Sequence, residues 1–442
     1  MKFFVKTFLL AGIVSAFVSA NAAEPDSLRV DSDQCSDGAK IESIEFEGLE
    51  HTKPRVVWRE LTHKVGGAFS QKTFESEKLR LQDLDLFTDV YVSCKKQLDP
   101  STSPNGFAQD DRVAVVYNFK EIFRWIPSPA GKKTDRDGLM LGLALANLNV
   151  LGEDIRAEVQ FRTAIDPFFE NNEYAFYASS PYLFGLPLGW NFEFLRTDSW
   201  DDLRGFQDAT WLLSLDVNWK LLSHFSILGK TVYRYLEKGP GVLPEFGLGV
   251  AVDYRDSELD TRKGIYFESD VTHVGVGGKR GENFVEFLED ARAYYTFGRF
   301  VTGATALVRM RPGDVKKYDY YYHGGANTFR GHESDSLHLG VHEMLLTLEE
   351  RFVLRERRPA SLWGVNFFYG LQLVAGLDAS VLWDKGNPGW KNYEGAVYGG
   401  LHIVIPALDR IRFEVGYSPD HGEPVFYFGL FDKVTSARWR SR

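Results

Sequence analysis

The feature that most constrains this chain is an alternation at every second residue, repeated over its last three hundred positions. "WLLSLDVNW" sets Trp211, Leu213, Leu215, Val217 and Trp219 on one face, and Ser214, Asp216 and Asn218 on the other. "FGLGVAVDYR" opposes Phe246, Leu248, Val250, Val252 and Tyr254 to Gly247, Gly249, Asp253 and Arg255. "RIRFEVGY" opposes Ile411, Phe413, Val415 and Tyr417 to Arg412, Glu414 and Gly416. A period of two is the mark of a strand with one apolar and one polar face. A soluble sandwich turns the polar face outward; a membrane barrel turns it toward a wet interior. Single strands do not separate those cases.

The N-terminus and the composition favour the membrane. Lys2 and Lys6 precede an apolar run from Phe8 to Val18, and Ala20-Asn21-Ala22 supplies small residues for cleavage. Residues 1–22 therefore read as a secretory signal peptide, the run being too short for a spanning helix. No later stretch reaches 18 consecutive apolar residues, so any crossing is made by strands. Aromatics make up 14% of residues and glycine numbers 41, a composition that suits a barrel with aromatic strand ends.

The alternation gives about sixteen strands between residues 122 and 431, an even number as such barrels require. The fold expected is an N-terminal α+β domain followed by a transmembrane antiparallel β-barrel. The first strand, beginning at Ile122, is marked by Pro127 and Pro129, which lack ladder donors. The last, "PVFYFGLF", carries Phe426 and Phe428, and a basic tail, residues 432–442, follows.

Residues 23–40 form a polar leader and residues 41–121 a small domain. "IESIEFEGLE" reads as a strand and turn, and Pro54 opens a short helix. Ser70 caps a second helix, whose expected apolar stripe is Phe74, Leu79, Leu81, Leu84 and Phe87. "TDVYVSC" and "RVAVVYNFKE" give two more strands, for an order β-α-α-β-β. Cys35 and Cys94 are the chain's two cysteines; in a secreted protein they pair or remain two thiols. Ile44-x-Phe46-x-Gly48, Arg59-Glu60-Leu61, Gly67, "LDLFTDV" and "VVYNFKE" together resemble a POTRA domain, the periplasmic module of outer-membrane insertases and secretion pores. The resemblance implies capture of extended clients at a sheet edge, where main-chain hydrogen bonds bind without demanding a sequence.

The long connection 312–339 contains "GGANTFRGHESDS". Gly324-Gly325 precede Phe329-Arg330-Gly331-His332, and the barrel is similar here to the BamA and TamA type of assembly and translocation proteins, the bacterial surface antigen family. Their sixth extracellular loop folds into the barrel and carries a hydrophobic-Arg-Gly-aromatic motif, so His332 is a departure. The resemblance places Arg330 against carboxylates on strands twelve and thirteen. Glu349 and Arg351 in "TLEERF", and Asp378 in "GLDASVLWDKG", are the matching lumen charges; Gly376 stands where an aromatic is usual and Ser380 where a glycine is usual. "LRGF" at Leu203-Arg204-Gly205-Phe206 fits the bare tetrapeptide better, but has no glycine pair and falls between strands five and six; it reads as an ordinary loop.

Other chemistries find little support. The ten histidines show no metal-ligand spacing, so neither a metal nor another cofactor is expected. "VGVGGKRG" opens no helix and reads as a hairpin turn rather than a phosphate loop. No Gly-x-Ser-x-Gly occurs, and no catalysis is expected. A net charge of −10 disfavours nucleic acid. The resemblance implies an outer-membrane protein with its POTRA domain in the periplasm, inserting or translocating unfolded client proteins. Its surroundings would be bilayer and lipopolysaccharide, with periplasmic chaperones or accessory lipoproteins as helpers. In the family a lateral seam opens between first and last strands, which maps to Ile122, Phe426 and Phe428. The other readings are a two-partner-type pore for a dedicated exoprotein and a passive channel.

Overall fold

A computed structural model describes residues 35–429, except 97–111, 135–137, 166–167, 202–203, 258–259, 278–281, 326–327, 333–338, 363–364 and 406–408. The expected signal peptide, most of the leader, Leu203, part of the 274–281 turn and the C-terminal tail lie outside the described residues. The chain forms two compact units. The first ends at Arg124 and takes in the short stretches Leu151–Glu153 and Arg357–Tyr369; the second holds the rest from Trp125 onward.

The first unit contains β1 (Lys40–Glu47), α1 (Pro54–Trp58), α2 (Gln71–Asp83), β2 (Phe87–Lys96) and β3 (Arg112–Glu121). The sheet order is β1-β3-β2, with β1 parallel and β2 antiparallel to β3. The Ser70 hydroxyl caps α2 by accepting from the Thr73 amide. The helix buries Phe74, Glu77 and Leu81 at spacings of three and four. Leu79, expected in the stripe, is exposed: five residues beyond Phe74 it lies about 140° round the helix. Cys35 and Cys94 form a disulfide.

Glu77 organises the domain's interior. Its side chain is fully buried and accepts from the amides of Thr62 (2.5 Å) and His63 (2.7 Å), His63 Nδ1 (2.8 Å) and the Tyr117 hydroxyl (2.6 Å). The Ser70 amide donates to His63 Nε2, so the imidazole proton sits on Nδ1, facing the carboxylate. Burial, reinforced by the bond to Glu77, pushes the Tyr117 phenol well above its ordinary range.

The second unit is a closed antiparallel barrel. Its first half is β4 (Trp125–Thr134), β5 (Gly138–Val150), β6 (Ile155–Ile165), β7 (Phe168–Ser180), β8 (Leu188–Asp201), β9 (Phe206–Leu222), β10 (Phe225–Leu236) and β11 (Gly241–Asp253). Then come β12 (Gly264–Val274), β13 (Asn283–Phe297) and β14 (Phe300–Met310). Three two-residue strands follow in a long loop: β15 (Gly313–Asp314), β16 (Tyr321–Tyr322) and β17 (Leu339–Gly340). The wall resumes with β18 (His342–Leu362), β19 (Val365–Trp383), β20 (Tyr393–Ile405), β21 (Asp409–Tyr417) and β22 (Pro424–Gly429). Sixteen of these strands are long enough to form the wall, and β22 lies beside β4 to close it.

The alternation decides which face is which. Trp211, Leu213, Leu215 and Trp219 are exposed on the outside of β9, while Ser214 and Asn218 between them are buried. On β5, Leu139, Leu141, Leu143 and Leu145 point outward in sequence. Exposed apolar side chains on the outside and buried polar ones within are the inverse of a soluble protein, and match a wall solvated by lipid. One boundary differs from the sequence reading. Ile122 is not in the first barrel strand: its amide donates to the Leu86 carbonyl at 2.8 Å and its side chain is buried in the first unit. The strand starts at Trp125 and runs through both prolines to Thr134.

Candidate functional site

The loop between β14 and β18 turns into the lumen. Gly324 and Gly325 have φ of +124° and +122°, a region L side chains rarely adopt, so only glycine makes this turn without strain. The Gly325 amide donates to the Phe329 carbonyl (3.0 Å) and the Gly324 amide to the Thr328 hydroxyl (3.2 Å), closing the tip. Phe329 is fully buried against Leu345, Ala396 and Leu307. That contact seats the tip and delivers Arg330 to the wall.

Arg330 meets four inward-facing residues on four consecutive strands. Its Nε and Nη2 donate to Asp378 Oδ2 and Oδ1, both at 2.7 Å, a bidentate pair on β19. Its own amide donates to Asp378 Oδ2 at 3.1 Å, and the Thr347 hydroxyl of β18 donates to Oδ1 at 2.8 Å. Nη1 lies 3.4 Å from Glu414 on β21 and 3.7 Å from Glu349 on β18. The guanidinium carbon stands 3.3 Å from the ring centre of Tyr398 on β20, an arrangement for cation–π attraction. Tyr398 donates to Glu349 Oε2 (2.9 Å), and His402 bonds Glu414 Oε1 (2.8 Å).

Two glycines make room. A Cβ on Gly416 would overlap the Arg330 carbonyl oxygen, and one on Gly376 would overlap the Tyr398 ring. Gly376 and Tyr398 are register partners on β19 and β20. The aromatic absent at 376 is thus supplied from the neighbouring strand. Ser380, in place of a glycine, hydrogen-bonds His323, whose Nε2 lies 2.8 Å from Glu343.

The sequence-derived residues do not all meet. Arg330, Glu349 and Asp378 come together. Arg351 shares the inner face of β18 with Glu349 (3.5 Å) but points elsewhere, donating to the Thr261 carbonyl (2.5 Å) and lying 3.4 Å from Asp260. His332 is buried with Nε2 2.7 Å from Glu394, its carbonyl accepting from the Tyr427 hydroxyl (2.9 Å). Gly331 is packed so tightly by the Phe329 ring and Ser418 that a Cβ there would collide with both. Phe426 is exposed on β22 and Phe428 pairs in register with Phe413, while Ile122 is remote from that strand in sequence and belongs to the first unit. The sequence does not mark Tyr398, His402 or Thr347 as partners, and marks Glu414 only as inward, through the polar face of "RIRFEVGY". Glu349, His402 and Glu414 could in principle hold a cation, and Arg330 already lies against the two carboxylates.

"LRGF" is more than a loop. Arg204 donates from Nε and Nη2 to the Tyr320 carbonyl at 3.0 and 2.9 Å, joining the β8–β9 turn to the long lumen loop.

A small periplasmic-type domain, a sixteen-strand barrel and a loop folded onto lumen carboxylates together define a POTRA-bearing transmembrane barrel. Residues 152–430 match the Omp85 superfamily domain, and residues 39–122 match the POTRA domain described as a surface antigen variable number repeat. The chain belongs to the Omp85 superfamily. Among solved structures it is similar to BamA from Haemophilus ducreyi lacking POTRA domains 1-3, at 12% identity and TM-score 0.50, covering 88% of this chain and 82% of that one. It is similar also to CdiB from Escherichia coli, at 14% identity and TM-score 0.58, covering 89% of this chain and 75% of that one. CdiB from Acinetobacter baumannii gives 12% and 0.52, covering 89% and 73%. At these identities the likeness is one of fold. No curated protein matches the chain. The protein is an outer-membrane barrel of the Omp85 superfamily with a periplasmic POTRA domain.

Proposed function

We propose that this barrel receives unfolded client polypeptides on the outer edge of β2 and passes them to a lateral seam between β22 and β4. The observation that carries the reading is the loop tip held on the inner wall: Arg330 is buried against the carboxylates of three strands, Glu349, Asp378 and Glu414, and the Tyr398 ring of a fourth, which favours a client route other than the barrel axis. Two edges then matter. The outer edge of β1 is covered at its start, where Ile41 donates to the Gly67 carbonyl (2.8 Å), Gly66 to the Ile41 carbonyl (2.7 Å) and Phe69 to the Ala39 carbonyl (2.8 Å). No described strand pairs with the outer edge of β2, which leaves its main-chain groups for an added strand.

At the seam, Pro127 and Pro129 lie two apart, so their missing amides fall on the same edge of β4. β4 keeps an unbroken register of ten pairs with β5, which fits those gaps facing β22. A seam short of donors parts at lower cost in lipid, and an incoming strand satisfies the groups exposed.

Engineered cysteines at Phe426 and, in turn, Trp125, Pro127 and Pro129, all outward-facing, test this. Oxidation of a pair that crosslinks should abolish client delivery, while each single-cysteine variant works under the same conditions. Full delivery by a sealed barrel would refute lateral release and favour passage through the lumen.

A further inference from the structure

The lumen loop is held far from its tip as well. Residues Lys317–Asp319 form a single 3-10 turn. The carbonyls that end such a turn have no partner within it and need outside donors. Two arginines supply them: Arg311 donates to the Asp319 carbonyl, and Arg204 grips the Tyr320 carbonyl with two N–H groups of one guanidinium. The Asp319 carboxylate, itself buried, is bound by Arg234 of β10 through both terminal nitrogens, Nη2 at 3.0 Å. Aromatic contacts finish the seat. Arg311 stacks 3.6 Å from the Tyr321 ring centre, Arg204 lies 4.8 Å from that of Tyr322, and Phe206 packs edge-on against Tyr318.

These partners come from the β8–β9 turn, β10 and the end of β14. The partners of Arg330 come from β18 to β21, on another stretch of the strand order, and the two groups share no side chain named above. We infer that Arg204, Arg234 and Asp319 form a second lock on the loop, independent of the Arg330 lock, and that the lumen opens only when both release. The "LRGF" motif then has a positioning role: Arg204 reads the backbone of the loop stem, and Gly205, at φ +72°, makes the turn that aims it. The inference rests on the reading of the loop as the plug of the lumen.

Single-channel recording of the purified full-length protein in planar bilayers tests it, with heat-dependent gel mobility reporting that each barrel is folded. Two locks in series make their effects multiply. Asp319→Asn and Arg330→Ala should each raise the open fraction about tenfold, the scale of one charge-assisted hydrogen bond. The double variant should show the product of the two increases. Should Asp319→Asn not fold, Arg204→Ala is judged by the same criteria, and Arg204→Lys, which keeps the charge but loses the two-pronged grip, should give a smaller rise. An Arg330→Ala barrel that is fully open, with no effect from Asp319→Asn or Arg204→Ala, would overturn the second lock alone. Folded single variants that all stay closed would overturn the plug reading together with it.

Discussion

Two buried carboxylates in this chain each receive four donors, and the difference between them separates fixed structure from movable structure. Glu77 accepts from two amides, an imidazole and a phenol. Asp378 accepts twice from a guanidinium, once from that arginine's amide and once from a hydroxyl. The donors of Glu77 come from the segment packed beside its helix and from the central strand of its own sheet. Those of Asp378 come chiefly from a loop tip 48 residues away. Neutral donors around a dry carboxylate have no comparable partner elsewhere, so that centre is committed. A guanidinium and a carboxylate in a polar lumen are each well solvated by water when they part, so that centre releases at moderate cost.

Breaking the committed centre should have the largest effect. Glu77→Ala strands several buried donors, at about 1–3 kcal/mol each. The expected outcome is an unfolded POTRA domain on an intact barrel: rapid tryptic cleavage within 40–121, with unchanged heat-dependent gel mobility. A domain as protease-resistant as the native one would remove Glu77 from its organising place.

Asp378→Asn should act less severely and elsewhere. It keeps the shape but loses the charge, and should weaken the tip's hold by about 1–3 kcal/mol, below the cost of breaking a dry ion pair. A cysteine introduced at Thr328 should then react faster with a charged thiol reagent, and molar salt should accelerate the wild-type reaction too, since salt stabilises the two charges once they part. The Glu77 centre should show no such salt response. Equal salt sensitivity at both centres would erase the comparison.

The smallest effect is expected of His332→Phe, which restores an aromatic hydrocarbon to the motif but gives up the contact with Glu394. A change of about 0.5–1.5 kcal/mol in tip retention, read by the same labelling rate, is the scale of one hydrogen bond.

Particular residues show how far the sequence reached. The glycine pair before Arg330 was legible because no other residue takes its backbone angles, and Glu349 and Asp378 were marked by resemblance and strand parity. Arg351 was legible as inward-facing, but its partners Asp260 and Thr261 lie some ninety residues away on a different connection. Gly376 read as a weakened match until the register placed Tyr398 beside it. Arg204 read as a chance tetrapeptide because nothing local links it to Tyr320, 116 residues on. Ile122 is assigned to the wrong unit by sequence because the run from Val115 to Ile126 carries no turn signal where the small domain ends; only the bond of its amide to Leu86 places it there.

By itself the sequence determined the period-two wall, the outward apolar face, the helical capping of the small domain and the glycine turn that frees a loop to bend inward. These are local consequences of backbone sterics and of where apolar side chains can be hidden. Only the tertiary structure decided which charges meet. Closing the barrel brings Glu349, Asp378, Tyr398 and Glu414 from four strands onto one arginine, and Arg204 and Arg234 onto the stem of the same loop. Those pairings depend on strand register and loop path, which no short window of sequence contains.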